Sequence, residues 1–114
     1  MIDTAAIADI LALYKKHGWT LRRVLLCAET KHGLSQPDVE LFEAAEIQNS
    51  ALDALWFSRR SKPDSEAWEL RRIYGSPFAL VVVIDDAAPK DEREDILTAT
   101  VERMLETPAR ETSH

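Results

Sequence analysis

The chain has 114 residues, a formal net charge of −6 and 46% hydrophobic residues, which suits one domain with its own core and is too short for two ordinary domains. This composition excludes a collagen-like chain, a coiled-coil rod and a disulfide-rich scaffold. The longest apolar run, residues 78–84, is far shorter than the roughly 20 residues that a membrane-spanning helix needs. We therefore expect a single domain over residues 1–107, a flexible tail at 108–114 and no membrane contact.

Cysteine content and charge limit the compartment and the partners. The only cysteine, Cys27, has no second cysteine to pair with in this chain, which is typical of a reducing compartment. The first residues lack the basic and then apolar segments of a secretory signal, so we expect a cytoplasmic protein. The twenty acidic residues outnumber the fourteen basic ones. This negative balance disfavours nucleic acid and anionic membranes as partners.

The N-terminal part is predicted to form a helix, a strand and a short helix. Apolar residues spaced three and four apart predict a helix over Ala5–Lys16. A segment rich in Leu and Val predicts a strand over Trp19–Ala28. Ser35, with Asp38 three residues later, forms a helix-capping pattern, so a short helix is predicted over Gln36–Ala45, although this segment would also fit the start of a strand.

The rest of the chain is predicted to be a strand meander followed by a helix. The three strands are Ala51–Arg59, Glu66–Tyr74 and Phe78–Asp85, separated by polar or Gly/Pro-containing turns. Pro89 then opens a final helix whose first turn is acidic. This order of elements predicts an α+β fold, with a mainly antiparallel four-stranded sheet and the N- and C-terminal helices packed on one face.

The strand sequences favour a homodimer. Phe78–Ile84 is apolar at every position, which is typical of a central strand buried on both faces. If both long helices cover one face, apolar side chains on the other face need a cover, and a second copy of the chain is the simplest one. The predicted dimer interface consists of Val24, Leu26, Leu55, Phe57, Val81 and Val83.

Arginine pairs near tryptophans are the most distinctive pattern of the sequence. Guanidinium groups bind carboxylates and phosphates and stack on aromatic rings, so clustered pairs would form a surface for an acidic ligand or single-stranded nucleic acid. The same residue types also mark protein–protein contacts, or they support the fold as core rings and ion-paired arginines. The predicted ligand or partner surface consists of Arg22, Arg23, Trp56, Arg59, Arg60, Trp68, Arg71 and Arg72.

Two carboxylates suggest an enzymatic alternative. Asp53 in one predicted strand, with Glu69 and Arg71 in the next, loosely resembles the Asp…Glu-x-Lys arrangement of metal-dependent nucleases, with arginine in place of the lysine. The resemblance implies two carboxylates that hold Mg²⁺ beside a scissile phosphate. By contrast, Cys27 and His32 match no strong metal-binding or thiol-nucleophile spacing.

Missing motifs favour a non-catalytic protein. The three glycines lie too far apart for a phosphate-binding loop, and no serine has the context of a nucleophile elbow. We therefore expect a protein that acts by self-association and protein–protein contact, without cofactor or metal. Binding of an acidic ligand or single-stranded nucleic acid is the first alternative, and the nuclease-like enzyme is the second. The patterns identify no family that covers the chain.

Overall fold

The fold is described from a computed structural model over residues 4–42, 45–74 and 77–107. The predicted α+β class is confirmed, while the predicted tail at 108–114 lies outside the described residues. In the described part of the chain, no helix is long and apolar enough to cross a membrane. The elements in chain order are α1 (Thr4–Lys16), β1 (Thr20–Leu26), α2 (Ala28–His32), α3 (Gln36–Glu40), β2 (Glu46–Asn49), β3 (Ala54–Lys62), β4 (Ser65–Arg72), β5 (Ala79–Asp85) and α4 (Lys90–Glu106).

A tight turn after α1 leads the chain directly into the sheet. Gly18 has a φ of 85°, a left-handed conformation that costs glycine little and commonly ends helices. The N–H group of Trp19 then donates to the carbonyl of Tyr14 at 2.9 Å, which closes the helix end. β1 begins one residue later, so α1 packs back over the strands that follow it.

The sheet has five strands in the order β2-β1-β3-β4-β5, not the predicted four. β3, β4 and β5 form the expected antiparallel meander, and β1 pairs antiparallel with β3. β2 runs parallel to β1, so the sheet is mixed. The sequence of β2, Glu-Ile-Gln-Asn, is too short and too polar to stand out as a strand. Of the helix predicted over Gln36–Ala45, α3 forms Gln36–Glu40, and residues 43–44 lie outside the described ranges.

The two long helices lie on opposite faces of the sheet, so the prediction that both pack on one face is wrong. Trp56 of β3 belongs to the buried cluster that contains Leu97 of α4. The next residue, Phe57, stacks on Tyr14 of α1 with 4.0 Å between ring centroids. Because successive side chains of a strand point to opposite faces, and the first five residues of β3 are all buried, β3 needs a helix on each side.

β5 is an edge strand, so the prediction that Phe78–Ile84 is central is also wrong. Leu80 and Val82 pack against the cluster under α4. Val81 and Val83 point to the opposite face and are 53% and 58% exposed. A continuous apolar run is expected of a strand buried on both faces, but here only alternate residues are covered within the chain.

Candidate functional site

Two of the predicted arginines cover Trp68 on the α4 face of the sheet. A β-bulge between Leu21 and Arg23 lets Arg22 and Arg23 approach the same ring. Their guanidinium carbons lie 4.7 and 5.8 Å from the ring centroid of Trp68. Trp68 is buried and packs edge-on against Trp56, with 6.0 Å between centroids. Both tryptophans are therefore core residues.

Partners within the chain already engage this arginine pair. Arg23 donates to both carboxylate oxygens of Glu94, at 2.7 and 3.0 Å. These hydrogen bonds hold the pKa of the Glu94 carboxyl below its usual range. Arg22 donates to the hydroxyl of Ser58 at 2.9 Å and lies 3.9 Å from Glu66.

The arginines of β3 point to different faces, as successive strand residues must. Arg60 donates to both carboxylate oxygens of Asp86, at 2.9 and 2.7 Å. Arg59 lies over the ring of Trp19, 4.5 Å from its centroid, and donates to a carbonyl at the end of α1. Each of the two guanidinium groups therefore supports a different part of the fold.

The arginines at the end of β4 donate hydrogen bonds to backbone carbonyls. Arg72 is buried and donates to the carbonyls of Met104 and Thr107 at the end of α4, at 3.4 and 2.7 Å. Its guanidinium also lies 4.8 Å from the ring centroid of Phe78. Arg71 donates to the backbone carbonyl of Arg72 at 2.6 Å. The two bonds from Arg72 to these carbonyls tie the end of β4 to the last turn of α4.

The predicted arginine–tryptophan surface is thus divided over the sheet. Glu66 lies 3.9 Å from both Arg22 and Arg60, which places these two arginines together near Trp68. The other arginines of β3 and β4 lie on the opposite face or at the opposite end of the strands. Binding of an acidic ligand or single-stranded nucleic acid stays a prediction. The residues that the structure brings together are Arg22, Arg23, Trp56, Arg60 and Trp68.

Most of the predicted dimer interface lies beneath α1. Four of its six residues are buried in the cluster between α1 and the sheet, so they are not available to a second copy. The other two, Val81 and Val83, are exposed at the β5 edge. A homodimer stays a prediction, and of its predicted interface only these two valines remain available to a second copy. The four buried residues are Val24, Leu26, Leu55 and Phe57.

Asp53 anchors the start of α2. Its carboxylate accepts hydrogen bonds from the N–H group of Cys27 and from the hydroxyl of Thr30, both at 2.8 Å. Cys27 immediately precedes α2, and its thiol lies 3.6 Å from the same carboxylate. These bonds give an acidic residue in an apolar segment a structural role.

Glu69, the second acid of the nuclease-like alternative, lies apart from Asp53. It pairs in register with Phe57, four residues beyond Asp53, which is about 13 Å along an extended strand. The Glu69 carboxylate accepts a hydrogen bond from the hydroxyl of Tyr14. Burial and this bond raise the pKa of Tyr14 well above its ordinary value. Within residues 4–42, 45–74 and 77–107, no group of three or more His, Cys, Asp or Glu side chains is placed to hold a metal ion.

The hydrogen bonds of β5 show which of its backbone groups face outward. At the two ends of its ladder with β4, Arg72 donates to the carbonyl of Phe78 at 3.0 Å and Asp86 donates to the carbonyl of Asp64 at 2.9 Å. Because bonded pairs alternate along antiparallel strands, the even-numbered residues of β5 bond to β4. The odd-numbered residues point their N–H and C=O groups away from the sheet, and no described strand pairs with them. These residues include Ala79, Val81 and Val83.

The two edges of the sheet differ in how they are protected. β2 has four residues and begins with Glu46, so it is short and polar. β5 has seven residues, and its first charged side chain is Asp85 at the end. No proline interrupts β5, and no register shift interrupts its pairing with β4. Natural edge strands are usually protected from further pairing by short length, charged side chains, proline or a bulge. Because β5 lacks these features along most of its length, it is the candidate interaction site.

A cavity of about 500 Å³ opens on the α1 side of the sheet. Its walls come from α1, from the start of β1, from the residues after α3 and from β3, so no contiguous sequence pattern could have predicted it. The wall is largely apolar, with Lys15 and Thr20 among its polar members. Its large apolar residues are Leu11, Trp19, Leu21, Leu41, Phe42 and Phe57.

Comparisons with protein-family models, with curated proteins and with solved structures find no match for this chain.

Proposed function

We propose that this protein acts by self-association, through antiparallel pairing of β5 with β5 of a second copy. The observation that carries the proposal is the unprotected β5 edge, where the outward N–H and C=O groups of Val81 and Val83 lie beside their exposed side chains. Backbone pairing at an open sheet edge is a common mode of protein recognition. A single ten-stranded sheet across two copies would satisfy these groups.

One register of this pairing suits the chemistry of the edge. If a two-fold axis passes beside Val81, that residue pairs with itself and Ala79 pairs with Val83 of the partner. At each end of the ladder, Asp85 then meets Pro77. Pro77 has no N–H group to donate, and the carbonyl of Asp85 already accepts from Ala88 at 3.0 Å.

This match favours a second copy over an unrelated strand. The Asp85 N–H group would donate to the Pro77 carbonyl. The Asp85 carbonyl, which is already bonded to Ala88, would lie opposite the Pro77 nitrogen, which has no hydrogen to donate. The side chains of Val81 from both copies would lie side by side on the α1 face, where they are otherwise exposed. Edge pairing and removal of apolar surface from water would stabilise the same contact.

Val81→Lys tests the proposal, with Leu13→Lys as the matched control. Leu13 is 55% exposed on α1, close to the 53% of Val81, so both variants change a similar exposed side chain and add the same charge. Val81→Lys would set two like charges opposite each other at the axis. Light scattering over a dilution series should give twice the 12.9 kDa chain mass for the wild type and for Leu13→Lys. Val81→Lys should remain at the mass of a single chain.

Circular dichroism and urea denaturation then establish whether each variant is folded. A wild type that stays at 12.9 kDa in concentrated solution would overturn the proposal. Equal loss of the dimer in both lysine variants would overturn the assignment to β5.

A further inference from the structure

We propose that the cavity beneath α1 binds a small amphipathic monocarboxylate, with its apolar body inside and its carboxylate at Lys15. Its volume of about 500 Å³ falls in the range of small-molecule sites, which are mostly apolar with a few polar groups. This site is independent of the β5 edge and would exist in a single copy of the chain.

The cavity exists because β2 covers only part of β1. Pairing between the two strands begins at Arg23, so the stretch 20–22 of β1 has no described strand on that side. Thr20 and Leu21 from this stretch line the cavity together with Phe42 and Ala45. The opening is therefore built by the topology of the sheet.

The aromatic wall of the cavity is held in place by contacts behind it. Phe57 is buried and stacks on Tyr14, with 4.0 Å between ring centroids. Trp19 lies edge-on to Tyr14 at 6.1 Å between centroids, and the guanidinium of Arg59 lies 4.5 Å from its ring centroid. A rigid wall loses little conformational entropy when an apolar ligand binds against it.

The positive charge of Lys15 favours a ligand with an anionic head group. Lys15 lines the cavity, is exposed, and has no acidic partner within ion-pair distance among the described residues. The guanidinium of Arg22, another lining residue, is turned toward Trp68 on the other face. The partial negative charge at the C-terminal end of α1 is partly neutralised by Arg59, which donates to the carbonyl of His17 at 2.9 Å. One available ammonium group therefore matches one carboxylate.

Titration with decanoate and with decanol, followed by NMR, tests the proposal. The two probes share an apolar chain and differ in charge. Decanoate should shift the indole N–H signal of Trp19 and the backbone signals near Lys15, and it should bind more tightly than decanol. Lys15→Gln should reduce decanoate affinity about threefold, as expected for an ion pair open to solvent. Decanol affinity should not change.

Lys16→Gln is the matched control, because Lys16 is the next residue of α1, is exposed and does not line the cavity. This variant should bind decanoate like the wild type. Ala45→Phe places a ring in the cavity wall and should weaken binding of both probes, while circular dichroism remains that of the folded protein. The proposal is overturned if neither probe shifts Trp19. It is equally overturned if decanol binds as tightly as decanoate, or if the two lysine variants lose the same affinity.

Discussion

At the residue scale, three of the six paired arginines pack on a buried ring or bind the end of α4. Arg22 and Arg23 cover Trp68, and Arg72 binds carbonyls at the end of α4. A guanidinium group suits these positions because it offers several donors in a plane and stacks on rings. The pattern that suggests a ligand surface in the sequence is therefore largely explained by packing and by helix capping.

Asp53 should contribute to stability through α2. Asp53→Ala removes the acceptor for the Cys27 N–H group and the Thr30 hydroxyl. Leaving a partly buried donor without its acceptor costs about 1–3 kcal/mol, so the midpoint of urea denaturation should fall. Asp64→Ala, at an exposed position in the turn between β3 and β4, is the control and should change the midpoint little. Similar midpoints for both variants would contradict the structural role of Asp53.

The Arg23–Glu94 pair should make stability depend on pH in the acidic range. Because hydrogen bonds from Arg23 hold the pKa of Glu94 below its usual range, the folded state binds this proton less readily than the unfolded state. The contribution is complete above the ordinary glutamate pKa of about 4.3 and is lost as the pH falls through the lower folded pKa.

Glu94→Gln should therefore reduce the free energy of unfolding at neutral pH by up to about 1 kcal/mol, the upper range for partly exposed pairs. The difference from the wild type should shrink as the pH falls below about 4. Urea denaturation at a series of pH values measures this effect. Glu102→Gln, at an exposed position of α4 with no ion pair in the described chain, should show no such convergence. A gap that is constant with pH would argue against the pair.

At the element scale, the alternation of even- and odd-numbered residues along β5 decides which backbone groups and side chains face away from the sheet. Even-numbered residues bond to β4 and pack under α4, whereas odd-numbered residues offer both backbone and side chain to the outside. β2 at the opposite edge is short and polar. Of the two edges of the described sheet, β5 therefore lacks the features that usually discourage strand addition.

Cysteine cross-linking should report the register at that edge. In a Cys27→Ser background, Val81→Cys would place two thiols across the axis, with Cα atoms about 5.5 Å apart as in a bonded antiparallel pair. That separation lies within the range of a disulfide. Mild oxidation should give a covalent dimer on a non-reducing gel.

Val83→Cys in the same background is the matched control, because the proposed partner of Val83 is Ala79. It should stay a monomer on the gel. If the Val83→Cys variant cross-links and the Val81→Cys variant does not, the proposed register is refuted. The light-scattering mass would still test self-association itself.

At the scale of the whole molecule, a helix lies on each face of a five-stranded sheet. Such a sheet is about 24 Å wide and a helix about 10 Å, so one helix covers only part of a face. α1 covers β1 and β3 and leaves the valines of β5 exposed. The cavity at the start of β1 and the open edge at β5 are both consequences of this incomplete cover.

Local patterns of spacing and capping predicted the elements with strong signals. The spacing of Ile7 and Tyr14 indicated α1, and both are buried as expected. The capping pattern of Ser35 and Asp38 is present as a reciprocal pair of hydrogen bonds. The first strand of the meander begins at Ala54, not at the predicted Ala51, because Asp53 is used to hold α2.

What the sequence by itself determined is the two long helices and the four longer strands, since local spacing and capping act within a few residues. Only the tertiary structure decided which faces meet. Phe78–Ile84 has the same apolar pattern at the centre or at the edge of a sheet, and its position depends on pairing with distant residues. The short β2 likewise owes its place to β1. The exposed edge and the cavity arise from these long-range pairings, which a local pattern does not encode.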